Sequence, residues 1–545
     1  MEAACVVPSP IPPAWTGSAF TSNVIVPRDS FKVTKGTPRS YDVTGDSGKI
    51  NKHFFCGDCG SSLYSELEIM SDKTGIKAGT LDGGEAHLRN KVDVEFYVKD
   101  RVHYLNALDN AKQEPRLGYI DPNLTRSDLL VLQTLLSDIQ AQSSGPKQTL
   151  KYVPSQQNSQ YKSVPEQLEA FNNPQHVDFE PTVTMTWEIA DLRAKLPSAV
   201  DQWLLQPYIQ LGRRVVRVET DVVMLTHLIL YFTTSVPSAV YLYYHFTWLH
   251  GVLHWIMQSY YVGTYTLMMH QHIHMGGILA KRFWLFDSLF PYITNPLMGH
   301  TWNSYYYHHV KHHHVEGNGP DDLSSTVRYQ RDEMYDFLCY VGRFLFLVWF
   351  ELPRYFFRKG QFFQGLKAGF WEIGNYLFIY AMYRFVNARA TLFVFILPLF
   401  LLRLGLMVGN WGQHAFVDET DPNSDFRSSI TLIDVPSNRF CFNDGYHTSH
   451  HLNPRRHWRE HPVAFLKQRD RYASEHALVF RNIDYLMITY RLIRKDYMHL
   501  AKCLVPMGDQ IPMSLEERAA MLETKTRKFT EAEIARKFGM SRSQS

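Results

Sequence analysis

Histidine is the residue type through which this chain of 545 residues could do chemistry. Three clusters stand out among its 25 histidines, and we name them box one (His270, His274), box two (His309, His312, His313) and box three (His447, His450, His451). On a helix, residues four apart share a face and an adjacent pair adds a third imidazole, so each box can direct several nitrogens to one point. Because neutral imidazole binds iron, copper and zinc, the boxes predict a metal centre.

The spacing of boxes two and three is too regular to be accidental. With 25 histidines in 545 residues, the pattern H-x-x-H-H is expected about 0.05 times by chance, and it occurs twice. Three neighbouring histidines are interpreted as pointing away from the boxes, although a shift of box two to His308 and His312 stays open; they are His272, His308 and His314. Isolated histidines are interpreted as internally bonded or solvent-facing: His227, His245, His254, His457 and His461.

The elements that must position the boxes are predicted to be membrane helices. No Asp, Glu, Lys or Arg occurs between Asp221 and Lys281, which leaves room for two helices of about 20 residues. A second apolar stretch, from Phe370 to Trp411, predicts another pair. Basic residues flank both pairs and place their ends in the cytosol, so all three boxes and both termini are expected to face the cytosol. The alternative is a set of buried helices in a soluble protein.

The flanking regions differ in kind. Short β-rich pieces before residue 120 predict a small, mainly β domain, and residues 128–140 have leucines at helical spacing. Residues 142–167 are rich in Gln, Ser and Pro and predict a linker, and two capping boxes begin charged helices in a solvated tail. We therefore predict a multidomain chain: a β domain (1–120), a helix and linker (121–200), an all-α polytopic membrane domain with four spans and a cytosolic helical cap (201–500), and a polar helical tail (501–545).

The composition excludes one class of partner. Lys plus Arg number 56 and Asp plus Glu 53, and the net charge of +3 is too small for a protein built to bind nucleic acid. The six cysteines are mostly isolated and do not form a disulfide framework. Prolines occupy the first residues where the apolar stretch of a secretory signal would lie, so the chain is expected to face the cytosol.

The order of boxes and apolar pairs resembles the integral-membrane fatty acid desaturases and their alkane-hydroxylase relatives, across about residues 203–500. Asn410-Trp-Gly-Gln-His414 is similar to an N-x3-H element of that family, which supplies a further histidine and an asparagine that acts through water. The resemblance implies two iron ions held by nine histidines: His270, His274, His309, His312, His313, His414, His447, His450 and His451.

The activity that the resemblance implies is the oxygen-dependent introduction of a double bond into a fatty acyl chain carried by a lipid or by CoA. Such a reaction removes two hydrogens from an unactivated methylene pair and needs an oxidant that only a cofactor can supply, here two Fe ions with O2. A separate electron donor, such as cytochrome b5 or ferredoxin with its reductase, is implied because the chain has no His-Pro-Gly-Gly haem motif. The expected membrane is the endoplasmic reticulum.

Two alternative functions stay open. An acyl or alkyl hydroxylase would use the same irons, whereas a zinc-binding membrane protein would use fewer histidines, because catalytic zinc takes three protein ligands. Acidic residues near the boxes are candidates to orient the imidazoles from outside. They are Asp321, Asp322, Asp418 and Asp444.

The N-terminal segment resembles a second family. Phe54-Phe-Cys56-Gly-Asp-Cys59-Gly60 and residues 94–101 are similar to the zinc-binding, glutathione-dependent formaldehyde-activating enzymes and to centromere protein V, across about residues 15–113. Residues 12–15 stand where that family has an upstream cysteine cluster, and only Cys5 remains. Cys56 and Cys59 could hold zinc incompletely or pack structurally, so we predict a degenerate domain without catalysis of its own.

Overall fold

The chain divides into a unit built on a β-sheet and a mainly helical unit. The computed structural model describes residues 3–8, 20–44, 50–82, 92–96, 112–114, 124–143, 161 and 163–539. Contacts between residues divide the chain into a first unit, Met1–Pro122, and a second unit, Asn123–Ser545. Most of the predicted linker, residues 144–160, lies outside the described residues.

The first unit is built around one β-sheet. Its described strands are β1 (Ala3–Pro8), β2 (Phe20–Pro27), β3 (Arg39–Thr44), β4 (Ile50–Phe55), β5 (Ser62–Leu67), β6 (Lys73–Lys77), β7 (Val94–Phe96) and β8 (Lys112–Glu114). They lie in the order β3-β4-β5-β6-β2-β1-β7-β8, antiparallel except that β7 runs parallel to β1 and β8 parallel to β7. Among the described residues of this unit the apolar interior is small, with Val24 and Ala78 buried and Phe54 stacked on Tyr64 at 4.3 Å.

The second unit is mainly helical. Up to box two it contains α1 (Arg126–Ser143), α2 (Val164–Asn172), α3 (Ile189–Lys195), α4 (Gln206–Val215), α5 (Val222–Thr233), α6 (Ser235–Tyr244), α7 (Trp248–Met275), α8 (Trp284–Leu297) and α9 (Ser304–His308), followed by a π-helical turn (His309–His313). Beyond box two come α10 (Met334–Arg358), α11 (Phe362–Ala381), α12 (Leu397–Gln413), α13 (Asp425–Ser428), β9 (Ile430–Ile433), α14 (Pro436–Phe440), α15 (His447–Leu452), α16 (His461–Lys467), α17 (Arg469–Ser474), β10 (Leu478–Arg481), α18 (Tyr485–Ile493), α19 (Tyr497–Cys503), α20 (Leu515–Thr524) and α21 (Glu531–Lys537).

Helix α7 carries box one at its C-terminal end. The Thr247 hydroxyl accepts the backbone N–H of His250 and caps the start of the helix, and Gly276, at φ 65°, ends it in the left-handed conformation that glycine adopts without strain. The 28 residues between contain no Asp, Glu, Lys or Arg. Box one therefore sits at the end of a long uncharged rod.

Four apolar helical segments occur where the two membrane pairs were predicted. Within the described residues, two of them are long and apolar enough to cross a membrane, namely Val222–Tyr244 and Ala388–Gln413. Helices α7 and α11 are also long, with 28 and 20 residues, but their polar side chains lower their hydropathy below that of the other two. The four-span topology therefore stays a prediction.

The structure adds elements that the sequence did not predict. Helix α10 is 25 residues long and includes Arg343 and Glu351, whose side chains pair at 3.1 Å. These two charged residues interrupt the apolar pattern, so the sequence analysis did not predict this helix. Strands β9 and β10 form a parallel pair with Leu478 opposite Ile430, so the prediction of an all-α domain is wrong in this detail. Helix α1 belongs to the second unit. It packs into the core that contains Tyr446, the residue directly before His447 of box three.

The C-terminal tail is not the solvated appendage that its charge predicted. Leu522, Phe529 and Ile534 are buried. The guanidinium of Arg331, itself fully buried, donates to backbone carbonyls of Lys525 (2.9 Å) and Arg527 in the tail, and also to those of Thr326 and Ala415. The last described helices are thus tied to the segment that follows α12.

Candidate metal centre

Five histidines from three separate elements converge at one point; we call them group one, and they are His270, His274, His309, His314 and His450. The Nε2 atom of His450 lies 3.0 Å from that of His270 and 2.8 Å from that of His314. The Nε2 atom of His314 in turn lies 3.1 Å from that of His309. A ring nitrogen of a neutral imidazole donates once or accepts once, so these three contacts cannot all be hydrogen bonds.

The same spacing is that of a metal's ligand shell. Imidazole nitrogens bound at about 2.1 Å in neighbouring octahedral positions lie about 3.0 Å apart. In addition, His274 has a buried Nε2 atom without a hydrogen-bond partner in the described structure. Group one therefore fits a first-row metal ion with nitrogen ligands.

Four more histidines form group two: His313, His414, His447 and His451. The Nε2 atom of His447 lies 3.2 Å from that of His414 and 3.1 Å from that of His451. Because His313 and His314 are consecutive and belong to different groups, the two groups are neighbours, and together they offer two adjacent shells. Group two is buried, with His414 only 1% exposed, whereas His274, His309 and His314 of group one are partly exposed.

Residues outside group two contact the ring nitrogens of its histidines that face away from the metal position. The Nδ1 atom of His414 donates to the carbonyl oxygen of Ser428 at 2.7 Å, and that of His313 lies 3.0 Å from a carboxylate oxygen of Asp322. The Nδ1 atom of His451 lies 3.5 Å from Asp425. Each of these contacts fixes a ring and leaves the opposite nitrogen to face the metal position.

The π-helical turn changes the register of box two. A π turn accommodates one more residue than an α turn, and here the N–H of His314 bonds to the carbonyl of His309. His309 and His314 therefore face the same side, and the prediction that His314 points away is wrong. His312 belongs to neither group one nor group two. The prediction assumed α-helical spacing because no residue in box two indicated a π turn.

His312 instead lies with His308 and Asp322, and we call these residues group three. The pair His308 and His312 is the alternative register that the sequence left open. His272, the third neighbour, does point away: its Nε2 atom lies 2.9 Å from the carbonyl oxygen of Asp287.

The predicted outer acids have unequal roles. Asp322 is fully buried; burial acts to raise its pKa, but the charge and hydrogen bond of His313, followed by His312, bring that pKa below its ordinary value. Asp321 touches His312 through its carbonyl oxygen, at 3.2 Å, while its carboxylate pairs with Arg358 and Lys359. Asp322 therefore supports a histidine directly, and the Asp321 carboxylate does not.

The other two acids do not contact the histidine groups. Asp418 pairs with Lys525 and Arg427. Asp444 is buried against the Gln413 amide at 3.0 Å, and burial raises its pKa to about 7. Asn410 donates to the carbonyl of Ser324 at 2.8 Å and to the Tyr340 hydroxyl at 2.7 Å, beside the cavity described below. Its predicted action through water stays a prediction.

The sequence missed two outer partners. Asp425 and Ser428 lie on α13, more than ten residues beyond His414, and Ser428 acts through its backbone carbonyl, which no residue type reveals. The isolated histidines behave as predicted where they are internally bonded. His461 bonds Ser449 at 3.0 Å, His254 bonds Ser238 at 2.9 Å, and His457 pairs with Asp221.

A cavity of about 440 Å³ lies beside the histidine groups. His270, His309, His313 and His447 reach its wall. Most of the remaining wall is apolar, with Leu267, Leu402 and Met407 among its residues, and one polar portion is formed by a buried carboxylate with its partners. That carboxylate, Glu372, pairs with Arg403 and accepts the hydroxyls of Thr301 and Ser304.

The Cys-x-x-Cys segment lies in the turn between β4 and β5. The backbone N–H of Gly60 bonds the Cys56 carbonyl at 2.9 Å, and Gly60 has φ 74°. The Cys59 thiol is exposed and lies 3.2 Å from the Ser61 hydroxyl. Among the residues that the structure describes, neither cysteine belongs to a group of potential metal ligands. The zinc prediction for Cys56 and Cys59 stays untested.

Two imidazole shells side by side, open to an apolar cavity, define a histidine-rich metalloprotein site suited to a long apolar ligand. Residues 246–482 match the family model described as fatty acid desaturase, and residues 14–100 match the model described as glutathione-dependent formaldehyde-activating enzyme. Residues 246–482 are therefore similar to the fatty acid desaturase family, and both resemblances are confirmed. No curated protein matches this chain.

The family places the domain among oxidoreductases that modify fatty acids, which are usually membrane-bound. The family generally uses a di-iron centre, acts on lipid acyl chains and receives electrons from a donor. The donor set of groups one and two fits two iron ions, because imidazole is a common iron ligand and the crowded nitrogens need a cation between them.

Proposed function

We propose that the second unit is a membrane di-iron, oxygen-dependent desaturase that introduces a double bond into a fatty acyl chain. The observation that supports this most directly is the convergence of nine histidines in two adjacent groups beside an apolar cavity. Bound iron with O2 would supply the oxidation that no side chain can perform. A single zinc ion would leave most of these histidines without a role, because catalytic zinc takes three protein ligands.

In this proposal the ligands are those of groups one and two, so His314 takes the place that the sequence assigned to His312. The outer partners of group two hold their rings in one tautomer, with Nδ1 bonded outward and Nε2 turned inward. Asn410, bonded by its amide to Ser324 and Tyr340, presents a fixed polar group to the cavity.

The cavity positions the substrate. An acyl chain along the apolar wall brings one methylene pair next to His270 and His309, and the surrounding apolar side chains exclude water from the reacting carbons. Gly409 and Gly405 lie on the wall beside Asn410 and leave room for the chain. The depth at which the chain stops then selects the position of the double bond.

We also propose that α5 with α6, α7, α11 and α12 span the membrane as two hairpins. All three boxes and both termini then lie on the cytosolic side, in the endoplasmic reticulum, where a separate electron donor such as cytochrome b5 or ferredoxin reaches them. Support comes from the two stretches that are apolar enough to cross and from the uncharged length of α7.

The test is product analysis in a desaturase-deficient host that expresses the full chain with an electron-donor system. A new unsaturated fatty acid, absent from a His450→Ala control, is the expected result. A hydroxylated acid instead would establish the hydroxylase alternative. Iron analysis of the purified chain is expected to give at least two atoms per chain, and one zinc atom without iron would overturn the di-iron proposal.

We propose that the first unit is structural and has no thiol chemistry of its own. Cys56→Ser together with Cys59→Ser is then expected to leave acyl oxidation unchanged. Removal of residues 1–122 is the sharper test, because a cut at 140 would also remove most of α1 from the core of the second unit. Loss of activity after the cut at 122, with normal iron content, would show that the first unit contributes to the reaction.

A further inference from the structure

Group three is a candidate for a third metal ion beside the two histidine shells. His308, His312 and Asp322 each offer one ligand atom within 4.8 Å of the others. The Nε2 atom of His308 and the Nδ1 atom of His312 are buried and have no hydrogen-bond partner among the described residues. Burial of a polar nitrogen without a partner is costly, and two such nitrogens beside a buried carboxylate point to something that satisfies both.

The hydrogen bonds around His312 determine which of its two ring nitrogens can bind a metal ion. The Nε2 atom of His312 lies 3.2 Å from the carbonyl of Asp321 and 3.3 Å from the N of Leu323. For Nδ1 to bind a metal, Nε2 must carry the ring proton and donate it to the Asp321 carbonyl, and the Leu323 N–H then makes no hydrogen bond to His312. The free Nδ1 atom lies 3.6 Å from a carboxylate oxygen of Asp322.

Asp322 has the capacity for a further partner. Its Oδ2 atom is engaged by His313, and its Oδ1 atom accepts the N–H of Ser324 at 3.0 Å and the Ser324 hydroxyl at 2.9 Å. An ionised carboxylate offers about four lone-pair positions, and the fourth is on Oδ2, so a cation in group three would bind Asp322 through Oδ2, beside the contact with His313. The ring centroids of Phe344 and Tyr355 lie 5.1 Å from that of His308 and 4.3 Å from that of His312, so aromatic side chains pack against both imidazoles.

We propose that His308, His312 and Asp322 bind a third, divalent first-row transition metal ion, separate from the ions of groups one and two. Two imidazoles and one carboxylate form a donor set that such ions accept with open positions. His308 and Ser324 reach the wall of the cavity, so an open position faces the cavity. Because Asp322 also holds His313, the charge in this site acts on a ligand of group two.

The test is metal counting on the full chain, purified in detergent, stripped of metal and reconstituted with Co2+. The expected result is three Co2+ per chain for the parent and two for both His308→Gln and His312→Gln. The control is His272→Gln, which lies in the same region outside all three groups and is expected to keep three. Two Co2+ per chain in the parent would overturn the proposal, as would a fall to one or none in His312→Gln, which would place His312 in the two-ion centre.

A second measurement does not depend on the variants folding. Crystals of the reconstituted parent are expected to give a third anomalous peak at the cobalt edge, within about 2.2 Å of ring nitrogens of His308 and His312. Two peaks only, both within the histidine shells, would show that group three is a hydrogen-bonded His–Asp pair without a metal.

Discussion

Groups one and two use the same ligand type but are supported differently. In group two, three of the four histidines, His313, His414 and His451, have an outward nitrogen bonded or paired to an oxygen, and only the Nδ1 atom of His447 is buried without a partner among the described residues. In group one, no described residue bonds the outward Nδ1 atoms, and that of His270 is buried without a partner. Group two is therefore organised before metal arrives, whereas group one depends on the metal to order its rings, and we expect metal to bind more tightly at group two.

Loss of a group-one ligand has the largest expected effect. His314→Ala removes a nitrogen that contacts both His309 and His450, so iron is expected to fall below two atoms per chain and turnover to drop by more than the roughly 10–100-fold that loss of an outer partner costs. Iron analysis and product yield measure both effects. The matched control is His272→Ala, which is expected to keep both. Normal iron and turnover in His314→Ala would restore the α-helical register of box two.

Loss of the strongest outer partner of group two comes next. Asp322→Asn keeps the shape but weakens the bond to His313, and metal affinity or turnover is expected to fall about 10–100-fold. Iron retention during dialysis against a chelator measures the affinity. Asp418→Asn is the control, because Asp418 pairs with Lys525 rather than with a histidine. Equal behaviour of the two variants would contradict the asymmetry between the groups.

A smaller effect is expected at Asp425. Its carboxylate is 37% exposed and lies 3.5 Å from His451, so water can replace it in part. Asp425→Asn is expected to lower turnover about tenfold or less. The fully exposed Asp470→Asn serves as a control in the same assay. A loss as large as that of Asp322→Asn would mean that exposure does not weaken this support.

The smallest effect is expected at Asp128, which supports group two indirectly through Tyr446. Asp128 on α1 accepts the hydroxyl of Tyr446, which precedes His447, and burial raises the pKa of Asp128 to about 7. Between about pH 4 and pH 7 the folded chain holds a proton that the unfolded chain has released, so stability falls as the pH rises through this range.

Asp128→Asn removes that titration. Its melting temperature is expected to change less between pH 5 and pH 8 than that of the parent, while iron content stays the same. Thermal unfolding followed by circular dichroism at both pH values provides the comparison. An unchanged pH dependence would show that Asp128 is not the group responsible.

The sequence predicted the site residues whose positions depend on regular helical spacing. Boxes one and three, and His414 four residues after Asn410, all lie in the histidine groups because their helices have the assumed period. Box two was shifted by one residue, since a π turn depends on tertiary contacts and has no clear sequence signal. Asp425 and the Ser428 carbonyl could not be predicted because their positions result from chain folding after α12. Helix α10 was missed because paired charges hid its apolar face.

The contacts of Arg331 indicate which premature stop codons this gene can tolerate. A chain that ended before Lys525 would keep every histidine ligand, yet it would remove the Lys525 and Arg527 carbonyls from a fully buried cation. The same guanidinium donates to the carbonyl of Ala415, directly after His414, at 3.1 Å. A late truncation is therefore expected to act as a loss-of-metal allele, although the nearest ligand lies more than 70 residues upstream.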